Sequence, residues 1–223
     1  MEIIAYIKTD FNSKFAVPRQ SGIVNCKGRI VFEKKYAVEQ SVRGLENFSH
    51  IWVLWGFSLC ENKDFTPTVR PPRLGGNKRM GVFATRSPYR PNNIGLSSLK
   101  LEEIKCEKGK VELYVSGVDM VNNTPIYDIK PYLPYTDCHP DAKGGFAAEK
   151  LDYKLQVDEL DENLQGLDKA LRQEVVLILQ NDPRPSYQND ENRVYAFEYA
   201  NLKIKFSVKD TKLKIIEIKK LTC

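Results

Sequence analysis

The sequence predicts a mainly β fold, a barrel or a sandwich, followed by a smaller α+β unit. Three observations carry this. Through the first half of the chain, short apolar or β-branched runs recur between Gly, Pro and polar clusters, with no long helical period among them. A helical period then occurs once, over Asp161–Gln180, and strict alternation returns at Leu202–Val208. Many short strands without intervening helices bury their apolar faces by closing or stacking.

Taken in order, Ile3–Ile7, Arg29–Phe32, Ile51–Phe57, Met80–Thr85 and Leu99–Ile104 read as strands. In Lys110–Gly117, Val111, Leu113 and Val115 alternate with Glu112, Tyr114 and Ser116, the period of a half-buried strand. Ile51–Phe57, with Trp52 and Trp55, does not alternate and is expected to be buried on both faces. Composition changes after Pro140, where DAKGG (Asp141–Gly145) reads as a linker between a domain of residues 1–140 and one of 141–223. One helix is expected over Asp161–Gln180, with Asp161 as N-cap and Leu164, Leu167, Leu171, Val175, Ile178 and Leu179 on one face. The prolines of NDPRPSYQND (Asn181–Asp190) end it. Leu202, Ile204, Phe206 and Val208 then alternate with Lys203, Lys205, Ser207 and Lys209, and Asp210–Thr211 turns the chain into Leu213–Ile218.

The 223 residues are 42% hydrophobic and 28% charged, an ordinary globular composition. Five scattered cysteines, never spaced CxxC, and only two histidines, His50 and His139, argue against a disulfide framework or a structural zinc site. The N-terminus lacks the pattern of a signal peptide, and the longest apolar run, Ile51–Phe57, is far shorter than the roughly 20 residues of a membrane helix. A soluble, cytoplasmic protein without metal or membrane attachment is expected.

The formal net charge of +5 hides an asymmetry. Between Asp64 and Glu102 there is no acidic residue, while Arg70, Arg73, Lys78, Arg79, Arg86, Arg90 and Lys100 are all basic. Arginines set among prolines and glycines belong on loops, where they either pair with acids elsewhere or meet the phosphates of a nucleic acid. Gly76–Gly81 has phosphate-loop spacing but continues Val82-Phe83 instead of Lys-Ser/Thr, and no GxGxxG opens a helix. Three rigid polar segments remain: Pro18-Arg19-Gln20, Asn122-Asn123-Thr124-Pro125 leading to DIKPYLPY, and DPRPSY (Asp182–Tyr187). Singly, each is ordinary turn chemistry. Together with RSPYRPNNIG (Arg86–Gly95) they suit a preformed, metal-free pocket for a nucleotide-like ligand.

The segments FAVPRQSG (Phe15–Gly22), VRGLENFSHIWVL (Val42–Leu54), VRPPRLGGNKRMGVFATRSPYRPNNIGLS (Val69–Ser97), NNTPIYDIKPYLPY (Asn122–Tyr135) and NDPRPSY (Asn181–Tyr187) resemble the TsaA-like, or TrmO-like, family of tRNA methyltransferases. The resemblance implies a small β-barrel N-terminal domain that binds S-adenosyl-L-methionine, a smaller α+β C-terminal domain and a homodimer. It implies methylation of N6 of threonylcarbamoyladenosine, next to the anticodon of tRNA. Position by position, it places cofactor contacts on Pro18, Arg19, Gln20, Phe57, Ser58, Arg86, Leu96, Asn122, Asn123, Thr124 and Pro125; catalytic roles are expected of Asp182, Arg184 and Tyr187. Arg184 is expected at the threonyl carboxylate, Tyr187 under the target base, and Arg70, Arg73, Lys78, Arg79 and Arg90 at RNA. The chain departs from many relatives at Ser58 (His), Asn122-Asn123 (Asp-Gly) and Asn93 (Pro). A non-catalytic RNA-binding module and a methyltransferase of a smaller substrate are the competing readings.

Overall fold

A computed structural model of the chain describes residues 1–59, 65–71, 78–150, 153–184 and 190–221. The strands are β1 (Ala5–Thr9), β2 (Lys27–Phe32), β3 (His50–Gly56), β4 (Thr68–Val69), β5 (Met80–Gly81), β6 (Ile94–Glu107), β7 (Lys110–Ser116) and β8 (Thr124–Pro131), then β9 (Gln156–Val157), β10 (Tyr195–Tyr199), β11 (Leu202–Lys209) and β12 (Lys212–Lys220). The helices are α1 (Pro134–Asp137), α2 (Glu162–Gln165) and α3 (Lys169–Gln180). Six strands close a barrel in the order β1-β2-β7-β6-β3-β8, and β10-β11-β12-β9 form a second sheet. The mainly β expectation holds, and the barrel is the alternative realised.

The barrel is antiparallel throughout. Inward residues of alternating strands fill it: Ala5, Ile7, Ile30, Ile51, Val53, Leu99, Leu113 and Ile126 are fully buried. β3 alternates after all. Ile51, Val53 and Trp55 point inward, while His50, Trp52 and Leu54 are half-buried on the outer face. Trp52 rests there beside Tyr132, ring centroids 5.6 Å apart, and its Nε1 donates to Asp137 Oδ2 at 2.8 Å.

The segment expected as a stiff loop after Asn123 is β8, the strand that closes the barrel by pairing with both β1 and β3. Its prolines stand at its two ends, Pro125 opposite Tyr6 and Pro131 opposite Ile51, where a missing N–H costs the ladder least. Met80–Thr85 is a strand only at Met80–Gly81, and Val82–Ala84 turns as a 3-10 helix.

The expected single helix is two. Asp161 caps α2 by accepting from Asn163 N, as its position suggests. The chain then stops at Gly166, and Asp168 caps α3 afresh by accepting from Ala170 N and Leu171 N. A second aspartate at a start signal competes with continuation through a glycine and wins. Val175, Ile178 and Leu179 of α3 bury against the second sheet, whose inner face carries Tyr195, Phe197, Tyr199, Leu202, Ile204, Phe206 and Val208.

Barrel and second sheet share one continuous core. Phe11 meets Tyr199 with ring centroids 4.8 Å apart, Phe15 meets Phe197 at 6.3 Å, and Tyr199 Oη donates to Glu174 Oε2 at 2.9 Å.

At the barrel mouth Trp55 of β3 faces Gly95 of β6. The indole lies so close that a Cβ on Gly95 would stand 2.2 Å from Trp55 Cε2. Gly95→Ala is therefore expected to cost about 1–3 kcal/mol by overpacking and to shift Trp55 fluorescence. Urea denaturation checks this, and an unchanged midpoint would show that the ring yields freely.

Candidate cofactor cleft

The cleft opens at the barrel mouth, where the ends of β3 and β6 meet three loops. It has a volume of about 460 Å³, within the range of small-molecule sites. Its apolar wall is Val17, Pro18, Trp55, Phe57, Ile94, Leu96 and Met120. Trp55 and Phe57 are in ring contact at 4.3 Å, and Leu96, a large apolar side chain, is half exposed at 51%. Polar groups come from Arg19, Gln20, Ser58, Arg86, Asp119 and Thr124.

Of the residues expected at a cofactor, Pro18, Arg19, Gln20, Phe57, Ser58, Arg86, Leu96 and Thr124 converge here from four separate stretches of chain. Arg86 Nη1 donates to Gln20 Oε1, joining the two sides of the mouth. Ser58 Oγ lies 3.5 Å from Thr124 Oγ1, so a serine at this position extends the polar rim.

Asn122, Asn123 and Pro125 do not line the cleft. Asn122 N donates to Phe11 O at 2.7 Å, and its Oδ1 accepts from Thr9 N at 3.3 Å. Asn123 takes the left-handed conformation (φ 63°) that a tight turn into β8 demands, and its N donates to Ile7 O at 2.8 Å. Asparagine tolerates that conformation better than most residues, which accounts for its standing where relatives carry glycine.

The stretch RSPYRPNNIG is a self-bonded scaffold. Arg90 Nη1 donates to Val82 O at 3.1 Å and Thr85 O at 2.7 Å, with its guanidinium over the Phe83 ring at 5.4 Å. The Asn93 amide nitrogen donates to Pro88 O and Arg90 O, both at 2.8 Å. Arg90, expected at RNA, is thus a structural clasp. Asn93 replaces the stiffness of a proline with two hydrogen bonds.

Asp182 and Arg184 are buried as a pair. Arg184 Nε donates to Asp182 Oδ1 and Nη2 to Oδ2, both at 2.8 Å, and Tyr153 Oη donates to Oδ2 at 3.0 Å. Burial alone would raise the Asp182 carboxyl, but the hydrogen bonds and charge of Arg184 outweigh it and hold the group below the usual range. Arg184 is 6% exposed, and its Nε and Nη2 are occupied by Asp182. Arg19 Nη2 donates to the carbonyls of Asp182 (3.2 Å) and Arg184 (3.1 Å), tying the cleft to the loop after α3. Tyr187 and Arg73 lie outside the described residues.

A basic, aromatic surface forms around β4 and β5. Arg70, Lys78 and Arg79 are exposed on or beside β4 and β5, and Arg79 Nη1 donates to Thr68 Oγ1 at 2.8 Å. Phe65 and Phe83 stack nearby at 6.1 Å, both exposed.

Asp119 is the group that sequence reasoning missed. It is the one acidic side chain among the described residues lining the cleft. Trp55 Nε1 donates to Ser97 Oγ at 2.9 Å, and Ser97 Oγ donates to Asp119 Oδ1 at 2.6 Å. Burial pushes the Asp119 carboxyl up to about 6, against the opposing pull of Ser97, backbone N–H groups and Arg86. The signal was present in the sequence: a lone acid within the apolar run VSGVDMV. Among the described residues no cluster of three or more His, Cys, Asp or Glu could hold a metal ion, and no helix is long and apolar enough to cross a membrane.

Residues 6–138 match the family model of the tRNA-methyltransferase O N-terminal domain, and residues 150–221 that of the TrmO C-terminal domain. The chain belongs to the TrmO family. It is 40% identical to the tRNA (adenine(37)-N6)-methyltransferase of Escherichia coli K12, over 97% of this chain and 96% of that one. A Methanothermobacter thermautotrophicus protein whose name describes S-adenosyl-L-methionine binding is 34% identical over 58% of this chain and 86% of its own length. The crystal structure of TrmO from Pseudomonas aeruginosa superposes with a TM-score of 0.74 at 27% identity, covering 97% of both chains. The family expected from the motifs is the family found.

Removing the charge of Asp182 strands Arg184 in the interior. Asp182→Asn is expected to cost about 3–5 kcal/mol of stability, read by urea denaturation at neutral pH. Because the folded carboxyl is depressed, the pair's contribution is complete above the unfolded pKa of about 4 and fades as pH falls below it. Wild type should lose its advantage over the variant in acid, and a difference independent of pH would contradict the ion pair's role.

Proposed function

We propose that this protein uses S-adenosyl-L-methionine to methylate N6 of adenosine 37 in tRNA, with the threonylcarbamoyl-modified base as substrate. The observation that carries the reading is the end-to-end 40% identity with the E. coli tRNA (adenine(37)-N6)-methyltransferase, together with matches to both family domains. The cleft's donor set fits the cofactor. An apolar wall of Trp55, Phe57 and Leu96 suits a flat heterocycle, Ser58 and Thr124 offer hydroxyls, and Arg19 and Arg86 bring positive charge for a carboxylate. Residues 1–140 would hold the cofactor and 141–223 would present the DPRPSY segment. A cytoplasmic homodimer fits the same reading.

When bound, S-adenosyl-L-methionine supplies an electrophilic methyl group carried on sulfur. The protein's own task is to hold the acceptor N6 in line and dry. Such orientation can lower a barrier by roughly 7–11 kcal/mol. The rigid barrel mouth, clasped by Arg90 and Asn93 and narrowed by the Arg86–Gln20 contact, provides a fixed frame for that alignment. Since Arg184 is occupied by Asp182, its part in the reaction is to hold the 182–184 loop against Arg19, and not to bind the threonyl carboxylate. Arg70, Lys78 and Arg79 would meet phosphates, and the exposed Phe65–Phe83 pair would stack on an unpaired base.

Incubation with S-adenosyl-L-methionine and tRNA, followed by nucleoside mass spectrometry, should show one added methyl on threonylcarbamoyladenosine and none on tRNA lacking that modification. Transfer to unmodified adenosine 37 would overturn the substrate assignment. Cofactor and tRNA binding without any transfer would favour a binding module. Arg79→Ala should weaken tRNA binding and lower the salt slope by about 1, while leaving cofactor binding unchanged.

A further inference from the structure

Among the described residues, the cleft is lined by four basic side chains, Lys14, Arg19, Arg86 and Arg90, and by one acid, Asp119. Arg90 is committed to loop carbonyls, and Arg19 reaches the carbonyls of Asp182 and Arg184. An isolated carboxylate in a partly apolar cleft is costly unless something compensates it. Here Ser97, the backbone N–H groups of Ser21 and Asp119, and the charge of Arg86 favour the carboxylate, and burial still outweighs them. The indole N–H of Trp55 points at Ser97 Oγ, so the Ser97 hydroxyl hydrogen is left to point at Asp119 Oδ1. Ser97 is fully buried and Trp55 nearly so, which fixes the direction of that donation. The relay therefore presents Asp119 as an acceptor, a group ready for a positive charge.

Resting on the cofactor reading above, we propose that Asp119 is the counter-charge for a cationic centre of S-adenosyl-L-methionine, held in place by Ser97 and Trp55. The cofactor carries two such centres, the sulfonium and the α-ammonium, and a carboxylate; a cleft with arginines alone would match only the last. The carboxyl, raised by burial to about 6 in the free protein, must be ionised to act this way. Arg86 is the charge that faces it, and the other charged groups lining the cleft among the described residues are Lys14, Arg19 and Arg90. The ligand's ammonium stays charged between pH 5 and 7.

Calorimetric titration of the full chain tests this without reference to catalysis. Wild-type affinity for S-adenosyl-L-methionine should fall toward tenfold per pH unit below about pH 6. Asp119→Asn should bind at least about tenfold more weakly at pH 7, with a flat pH profile, while affinity for 5′-methylthioadenosine, which lacks both cationic centres, stays unchanged. S-adenosylhomocysteine separates the two supporting cases: equal weakening assigns the ammonium, and no weakening assigns the sulfonium. A flat wild-type profile overturns the proposal with no variant needed. So does an Asp119→Asn protein that binds S-adenosyl-L-methionine normally, or one that loses methylthioadenosine to the same degree. Wild type that fails to bind S-adenosyl-L-methionine at all overturns the cofactor reading itself, a distinct result.

Discussion

The close approach of Trp55 to Gly95 organises the site. Because β6 carries no side chain at position 95, the indole can lie flat against its backbone and bring Nε1 within 2.9 Å of Ser97 Oγ. One ring then does three things. It closes the mouth of the barrel, it forms an apolar wall with Phe57, and it sets the direction of the Ser97 hydroxyl toward Asp119. Apolar shape and electrostatic polarity in this cleft are consequently not independent. Both follow from one cross-strand pair on β3 and β6.

The cleft is also where the two halves of the chain are joined. Arg19 leaves the loop after β1 and bonds the carbonyls of Asp182 and Arg184, which are themselves joined as a buried ion pair. Phe11 and Phe15, earlier in the same loop, pack on Tyr199 and Phe197 of the second sheet. A ligand that engages Arg19 therefore touches a residue already committed to the C-terminal unit. The second unit thereby supports the edge of the cleft in the first.

Much of this was legible in the sequence. Alternation located β7 and β11, the turn at Asp210–Thr211 located β12, and the RSPYRPNNIG stretch announced the stiff polar loop that borders the cleft. The misreadings have particular causes. β8 was hidden because Pro125 and Pro131 look like breakers, yet at strand ends they remove only peripheral hydrogen bonds. The interruption at Gly166–Asp168 lay inside an unbroken apolar period, which reports a face and not a continuous backbone. Asn122 and Asn123 carried the signature of a binding turn, but the structure uses their polar groups to tie the turn to Ile7, Lys8, Thr9 and Phe11, in and just after β1. Asp119 escaped notice because its significance is relational: it depends on Ser97 and Trp55, 22 and 64 positions earlier in the chain.

The central claim is that one preformed cleft at the barrel mouth receives the cofactor. Hydrogen–deuterium exchange of the full chain, with and without S-adenosyl-L-methionine, tests it most directly. The account predicts slower exchange confined to the backbone around residues 18–22, 55–59, 86–96 and 119–124, with the outer face of β11 and β12 unchanged. Protection centred on the second sheet, or on the β4–β5 ribbon with none at the barrel mouth, would contradict it.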